Sequence, residues 1–440
     1  MIRRTLFVGF LVSSLITFGC RNSDDDDNAP VYPPLPEAPA ADLMLSDMSQ
    51  RLLIADGAEP RLTMVEIATG EIIKTFDIES VARVYTGPIG NFAYAVQARA
   101  GVVDIIDGGF STNIEQGIPF KLAPSIHSQQ VKGALPIHFV GKQGYSAIFF
   151  DDEGKARFIP EPIQANSIAE SIEIDSGAPH HGVALAFDQF FLLSKPVFIE
   201  GVERAAAGGI QAFDSQGQQL DQDFPTCPRL HGEASTSTAV AFGCGDGVLI
   251  LQAENNTLKS IKVANPQLED GASPRVGTIA AHDGVPYMIG NFGSQRYVAI
   301  DPEKERLDIY DLPIDYARFA FSKDGEKLIF LSKDGELLIV SSDDHSVIHR
   351  SKVTSPSTGE NHGATDPKMV VAPGFVFVTD PAKAVVHAFS LDRMSIVSTY
   401  EVGGRTYYDS DVRFSSSRLV CWLHRPAMGC TQIASSEYSF

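Results

Sequence analysis

The chain has 440 residues, with 55 acidic against 35 basic side chains and a net charge of −20. It carries no cluster of Lys or Arg, which excludes a phosphate-gripping nucleic-acid surface. With eleven histidines, five cysteines and one tryptophan, Trp422, there is little material for a thiolate metal knuckle or an aromatic sugar- or quinone-stacking pocket.

The chain opens with the basic stretch "MIRR" and the apolar run "LFVGFLVSSLITFG" (6–19), followed by Cys20. The run is too short for a comfortable bilayer crossing and reads as a lipoprotein-type signal peptide over 1–19. Cys20 is then the lipidated first residue of the mature chain, although Phe18 departs from the ideal cleavage box and simple export is the alternative. Residues 20–41, within "CRNSDDDDNAPVYPPLPEAPAAD", are acidic and Pro-rich and predict a tether with little to bury. The expected location is the periplasm, with the membrane touched only through the lipid.

Residues 42–440 predict one all-β domain. Strand–turn–strand units recur, as in "RLTMVEIATGEIIKTFDI", "GVLILQAENNTLKSIKV" and "VVHAFSLDRMSIVSTYEV", and almost nothing has a helical period. "SKDGEKLIF" and "SKDGELLIV" repeat nearly verbatim, each Asp-Gly marking a tight turn before an apolar strand. Innermost strands are expected near 43, 82, 137, 181, 232, 276, 316, 367 and 411. A period of about 40–50 residues with four antiparallel strands per unit is the pattern of a β-propeller. Nine starts reduce to eight blades if the last partial unit pairs with the N-terminal region; seven is the alternative. Segments 105–135 and 352–366 read as long inter-blade loops.

In an exported chain the remaining cysteines pair by proximity around expected hairpins, predicting Cys227–Cys244 and Cys421–Cys430. A Cys-based zinc site is the competing reading, but no CxxC knuckle is present.

The histidines carry the chemistry. His138 ("LPIHFVG"), His181 ("HGVALAF") and His231 ("HGEASTS") fall at the starts of three successive innermost strands, one blade apart. Equivalent positions on such strands line one rim of the central channel, so three imidazoles converge. Three histidines with an open fourth position suit Zn²⁺. Gly182 and Gly232 are expected to allow close approach of backbone and ligand. His180 is a possible further ligand or supporting neighbour, or a turn residue. Glu233 either orients a ligating histidine through its second ring nitrogen or is a solvated carboxylate. His362, in "TGENHGATD", is a candidate exchangeable site or an exposed loop residue. No G-x-S-x-G elbow or phosphate-cradling loop is present, so no enzyme is indicated.

"PIHFVGKQGYSAIFFDDEGKA", "APHHGVALAF", "CPRLHGEASTSTAVAFGCGDGVLIL", "RVGTIAAHDG" and "VFVTDPAKAVVHAFSL", in that order over roughly 130–405, resemble the AztD family of periplasmic zinc metallochaperones. The resemblance implies a non-enzymatic β-propeller that holds Zn²⁺ through His138, His181 and His231, with His180 adjacent and Cys227–Cys244 as a disulfide. It implies a partner as well, the periplasmic solute-binding protein of a zinc ABC transporter. A monomer is expected. The chain departs from the family pattern in having no His-rich segment near the mature N-terminus, where Asp24–Asp27 stand instead, and in its expected lipid anchor. A lipid-anchored interaction scaffold without physiological metal is the alternative function.

Overall fold

A computed structural model describes residues 50–112, 119–269, 271–359, 366–402 and 417–424. The expectations for the signal peptide, Cys20, the tether, His362 and the Cys421–Cys430 pair lie outside them. Among the described residues there is no helix. The strands form eight consecutive antiparallel sheets, the blades of a β-propeller, and a separate two-stranded sheet that pairs Phe110–Thr112 with Pro119–Lys121.

Each blade begins with its innermost strand: Arg83–Thr86 in the second, Pro136–Lys142 in the third, Ala184–Phe187 in the fourth and Glu233–Ser235 in the fifth. Ile279–Ala280, Tyr316–Phe321 and Met369–Ala372 begin the sixth to eighth. The first blade differs. Its chain-first strand Gln50–Asp56 is second in the sheet, and the C-terminal strand Ser417–His424 pairs with it on the inner side. The ring is therefore closed by non-covalent pairing of the two chain ends, as the surplus ninth start implied, and eight blades result. Seven blades have at least four strands. The fourth has three, with an isolated bridge between Phe213 and Gln219 where another strand would run.

The core is divided in the same way. Eight buried apolar clusters fill the seams between adjacent blades; the one between the fourth and fifth also takes in Val140 of the third, and the cluster containing Leu52 and Phe377 joins the first to the eighth. Both faces of the inner strands are thus covered, so Phe375–Asp380 is buried at every position. Outermost strands face water and alternate; in Ile72–Asp77 only Phe76 is fully buried. Burial against a neighbour on each side is what makes a single blade insufficient and a closed ring stable.

The repeated "SKDG" turns sit where expected, with Gly325 and Gly335 at φ 79° and 87°. At Gly335 a Cβ would also lie 2.2 Å from the Thr354 carbonyl, so the turn needs glycine on both counts. One expectation is corrected. Residues 105–135 are not simply a loop: Val102–Asp107 is the third strand of the second blade, and the two-residue strands Ser125–Ile126 and Val131–Lys132 complete its outer edge.

Candidate metal centre

His138 lies in the innermost strand of the third blade, and His181 and His231 immediately precede those of the fourth and fifth. Successive blades therefore bring one imidazole each to the same end of the channel. Ring centroids are 4.6 Å apart for His138–His181, 5.4 Å for His181–His231 and 5.8 Å for His138–His231. One ring nitrogen from each lies within 4.8 Å of the others, a spacing three ligands of one ion can take up.

Hydrogen bonds select which nitrogens those are. His181 Nδ1 donates to the buried Asp151 carboxylate at 2.6 Å, and His231 Nδ1 donates to the Gly277 carbonyl at 2.9 Å. Both rings are thereby held in the tautomer whose Nε2 lone pair is available to a cation. His138 differs: its Nδ1 is buried without a hydrogen-bond partner, while the ring also bonds the backbone of Gly182. A buried ring nitrogen left without a partner is costly, and a metal ion would satisfy it.

The rings are also kept neutral. Burial holds His138 well below the ordinary imidazole value, and the charges of His181, His231 and Arg83 push it the same way. Burial likewise lowers His231 to about 4. Two of the three candidate ligands thus need shed no proton to bind a cation at neutral pH. Arg83, in the innermost strand of the second blade, adds a positive charge that His138 senses.

His180 does not join the group. It is fully buried, its Nδ1 donates to the Ala178 carbonyl at 2.8 Å, and its Nε2 lies 2.7 Å from the Ser194 hydroxyl. Its ring packs instead against Phe149. Glu233 does not orient His231, whose Nδ1 is engaged by Gly277. It is not a solvated carboxylate either: it is 4% exposed, with Oε2 unpartnered, and burial raises it to about 8. The carboxylate that orients a ring is Asp151, in "FFDDEGK", which sequence reasoning passed over.

The glycines act differently from the expectation. A Cβ at Gly182 would meet the Phe149 ring at 2.4 Å and Ser194 Oγ at 2.5 Å; one at Gly232, where φ is +72°, would meet the Gly277 carbonyl at 2.4 Å. They admit neighbouring protein atoms, in the second case the carbonyl that aims His231. The Cys227–Cys244 disulfide is present. It ties the segment entering His231 to the strand end whose Gly243 carbonyl accepts from the His231 amide.

No family model matches the chain. The resemblance seen in the sequence holds in comparison with known proteins. The chain is 28% identical over 360 residues to a protein named zinc chaperone AztD from Citrobacter koseri, spanning 80% of this chain and 83% of that one. Two crystal structures of Citrobacter koseri AztD share its fold. The apo form superposes with a TM-score of 0.72 at 23% identity, over 88% of this chain and 99% of that chain. The other also gives 0.72, at 24% identity over 85% and 97%.

Proposed function

We propose that this protein is a non-enzymatic carrier of the cell envelope that holds Zn²⁺ at the rim of its propeller and passes it on. The observation that carries the reading is the convergence of His138, His181 and His231 from three successive blades. The similarity to a protein named zinc chaperone supports it.

The donor set fits the cargo. Three neutral imidazoles suit a borderline ion such as Zn²⁺ and leave a fourth position for water or for an incoming ligand. Asp151 fixes the direction of the His181 ring, and the Gly277 carbonyl does the same for His231. An ion held by three side chains at a rim can leave by stepwise replacement, one imidazole at a time, by ligands of an acceptor. The acceptor proposed is the solute-binding protein of a zinc ABC transporter. The basic start and the apolar run before Cys20 support export and anchoring through a lipid on that cysteine; the carrier is proposed to be a monomer.

The test is a competition titration of the purified protein with Zn²⁺ against a chelating dye. His138→Ala, His181→Ala and His231→Ala should each weaken binding by at least an order of magnitude, since each removes one of three protein ligands. Three variants that bind like the parent would sink the assignment.

A further inference from the structure

The hairpin of the fourth blade is built from the eight-residue strands Phe190–Val197 and Ala206–Phe213. Its tip reads "VFIEGVERA" (197–205). Val197, Phe198, Ile199 and Val202 are 41%, 71%, 51% and 51% exposed, and Phe198 is the most exposed large apolar side chain among the described residues. Elsewhere among the described residues no more than two such side chains adjoin, at Val347 and Ile348; these four stand within six positions. A contiguous apolar tip on a soluble surface marks an interaction site, and a protruding Phe is the kind of anchor that seats in a partner's pocket.

Its place in the fold says which event the contact serves. The turn after the second strand of the third blade carries Asp151, which holds His181. The tip is the equivalent turn one blade on, at the same end of the ring. Two contacts fasten its base to the metal site. His180 bridges Ala205, and Arg204 Nη1 pairs with Asp152 Oδ1 at 2.9 Å, one residue from Asp151. Exposed Glu200 and Glu203 flank the apolar side chains, on a chain of net charge −20.

We infer that this tip is the docking surface for the protein that receives the metal, and that it seats in an apolar pocket rimmed by Lys or Arg on that acceptor. The inference rests on the zinc-delivery reading above. Apolar contact supplies the anchor, and opposite charge supplies orientation and encounter rate. Docking here brings the acceptor's ligands beside His181, whose supporting loop is tied to the same hairpin.

The experiment uses full-length Zn²⁺-loaded protein and, as acceptor, the apo solute-binding protein of the host's zinc ABC transporter. Phe198→Ser/Ile199→Ser should bind Zn²⁺ as tightly as the parent and release it to a chelator at the same rate. Transfer to the acceptor should slow at least tenfold. Glu200→Lys/Glu203→Lys should also slow transfer, by an amount that shrinks as salt is raised. Equal transfer by parent and Phe198→Ser/Ile199→Ser overturns the docking surface and leaves the zinc reading standing. A parent that binds no Zn²⁺, or transfers it no faster than it releases it, overturns both. A parent that dimerises at micromolar concentration, with the variant monomeric, assigns the tip to a second copy and overturns the inference.

Discussion

Zinc binding should release few protons. Three ordinary imidazoles of pKa about 6.5 would together carry about 2.3 protons at about pH 6, all of which a metal must displace. In this protein His138 is held well below that value by burial and neighbouring positive charge, and His231 is lowered to about 4 by burial. Both are neutral at about pH 6, so at most about one proton remains to be displaced from the three rings. Isothermal titration in two buffers of different ionisation enthalpy counts the protons directly. The count should be no more than about one at about pH 6, and Zn²⁺ affinity should fall with acidity much less steeply than a free three-histidine site would. Release of two or more protons would refute the view that the fold keeps these rings neutral. The result also bears on the handover, because a site whose affinity resists acidification needs a partner to empty it.

Further outcomes follow from the same geometry. Asp151→Asn keeps the size of the side chain but removes the charge that orients His181, and should cost about 10–100-fold in Zn²⁺ affinity by dye competition. The apo protein should lose stability in acid through His231. Its pKa is about 4 when folded and about 6.5 when unfolded, so its contribution is whole above about pH 6.5 and is lost as the pH falls towards 4. The loss amounts to about 3 kcal/mol, and denaturant midpoints of the parent and His231→Asn should converge over that range as the parent's contribution disappears. Cys227→Ser/Cys244→Ser opens a loop with a sequence separation of 17 and should cost about 3 kcal/mol on the chain-entropy estimate. Because the bridge steadies the segment entering His231, Zn²⁺ affinity should fall with it. Phe377→Ala, at the seam between the eighth and first blades, should cost about 3–5 kcal/mol in urea unfolding.

The features legible in the sequence were the ones the chain repeats. Turn residues and alternating apolar runs recur from blade to blade, so the period could be read, and the surplus start near 411 foretold the closing strand Ser417–His424. Two-residue strands such as Val131–Lys132 are too short to hold an alternation, which is why the outer edge of the second blade read as loop. The three histidines were legible because each occupies one register position in one repeat. Their supports were not, because they cross between blades: Asp151 is 30 residues from His181, and Gly277 acts on His231 through a backbone carbonyl that no side-chain pattern reveals. A rule for propellers follows. The turn after a blade's second strand lies beside the start of the next blade's innermost strand, so an acid at that turn is a candidate partner for a histidine one blade on. The same adjacency explains the neighbouring pair in "GAPHHGVALAF". Of the two, the residue facing the channel meets Asp151 and joins the triad, while the other turns into the sheet and is held by Ala178 and Ser194.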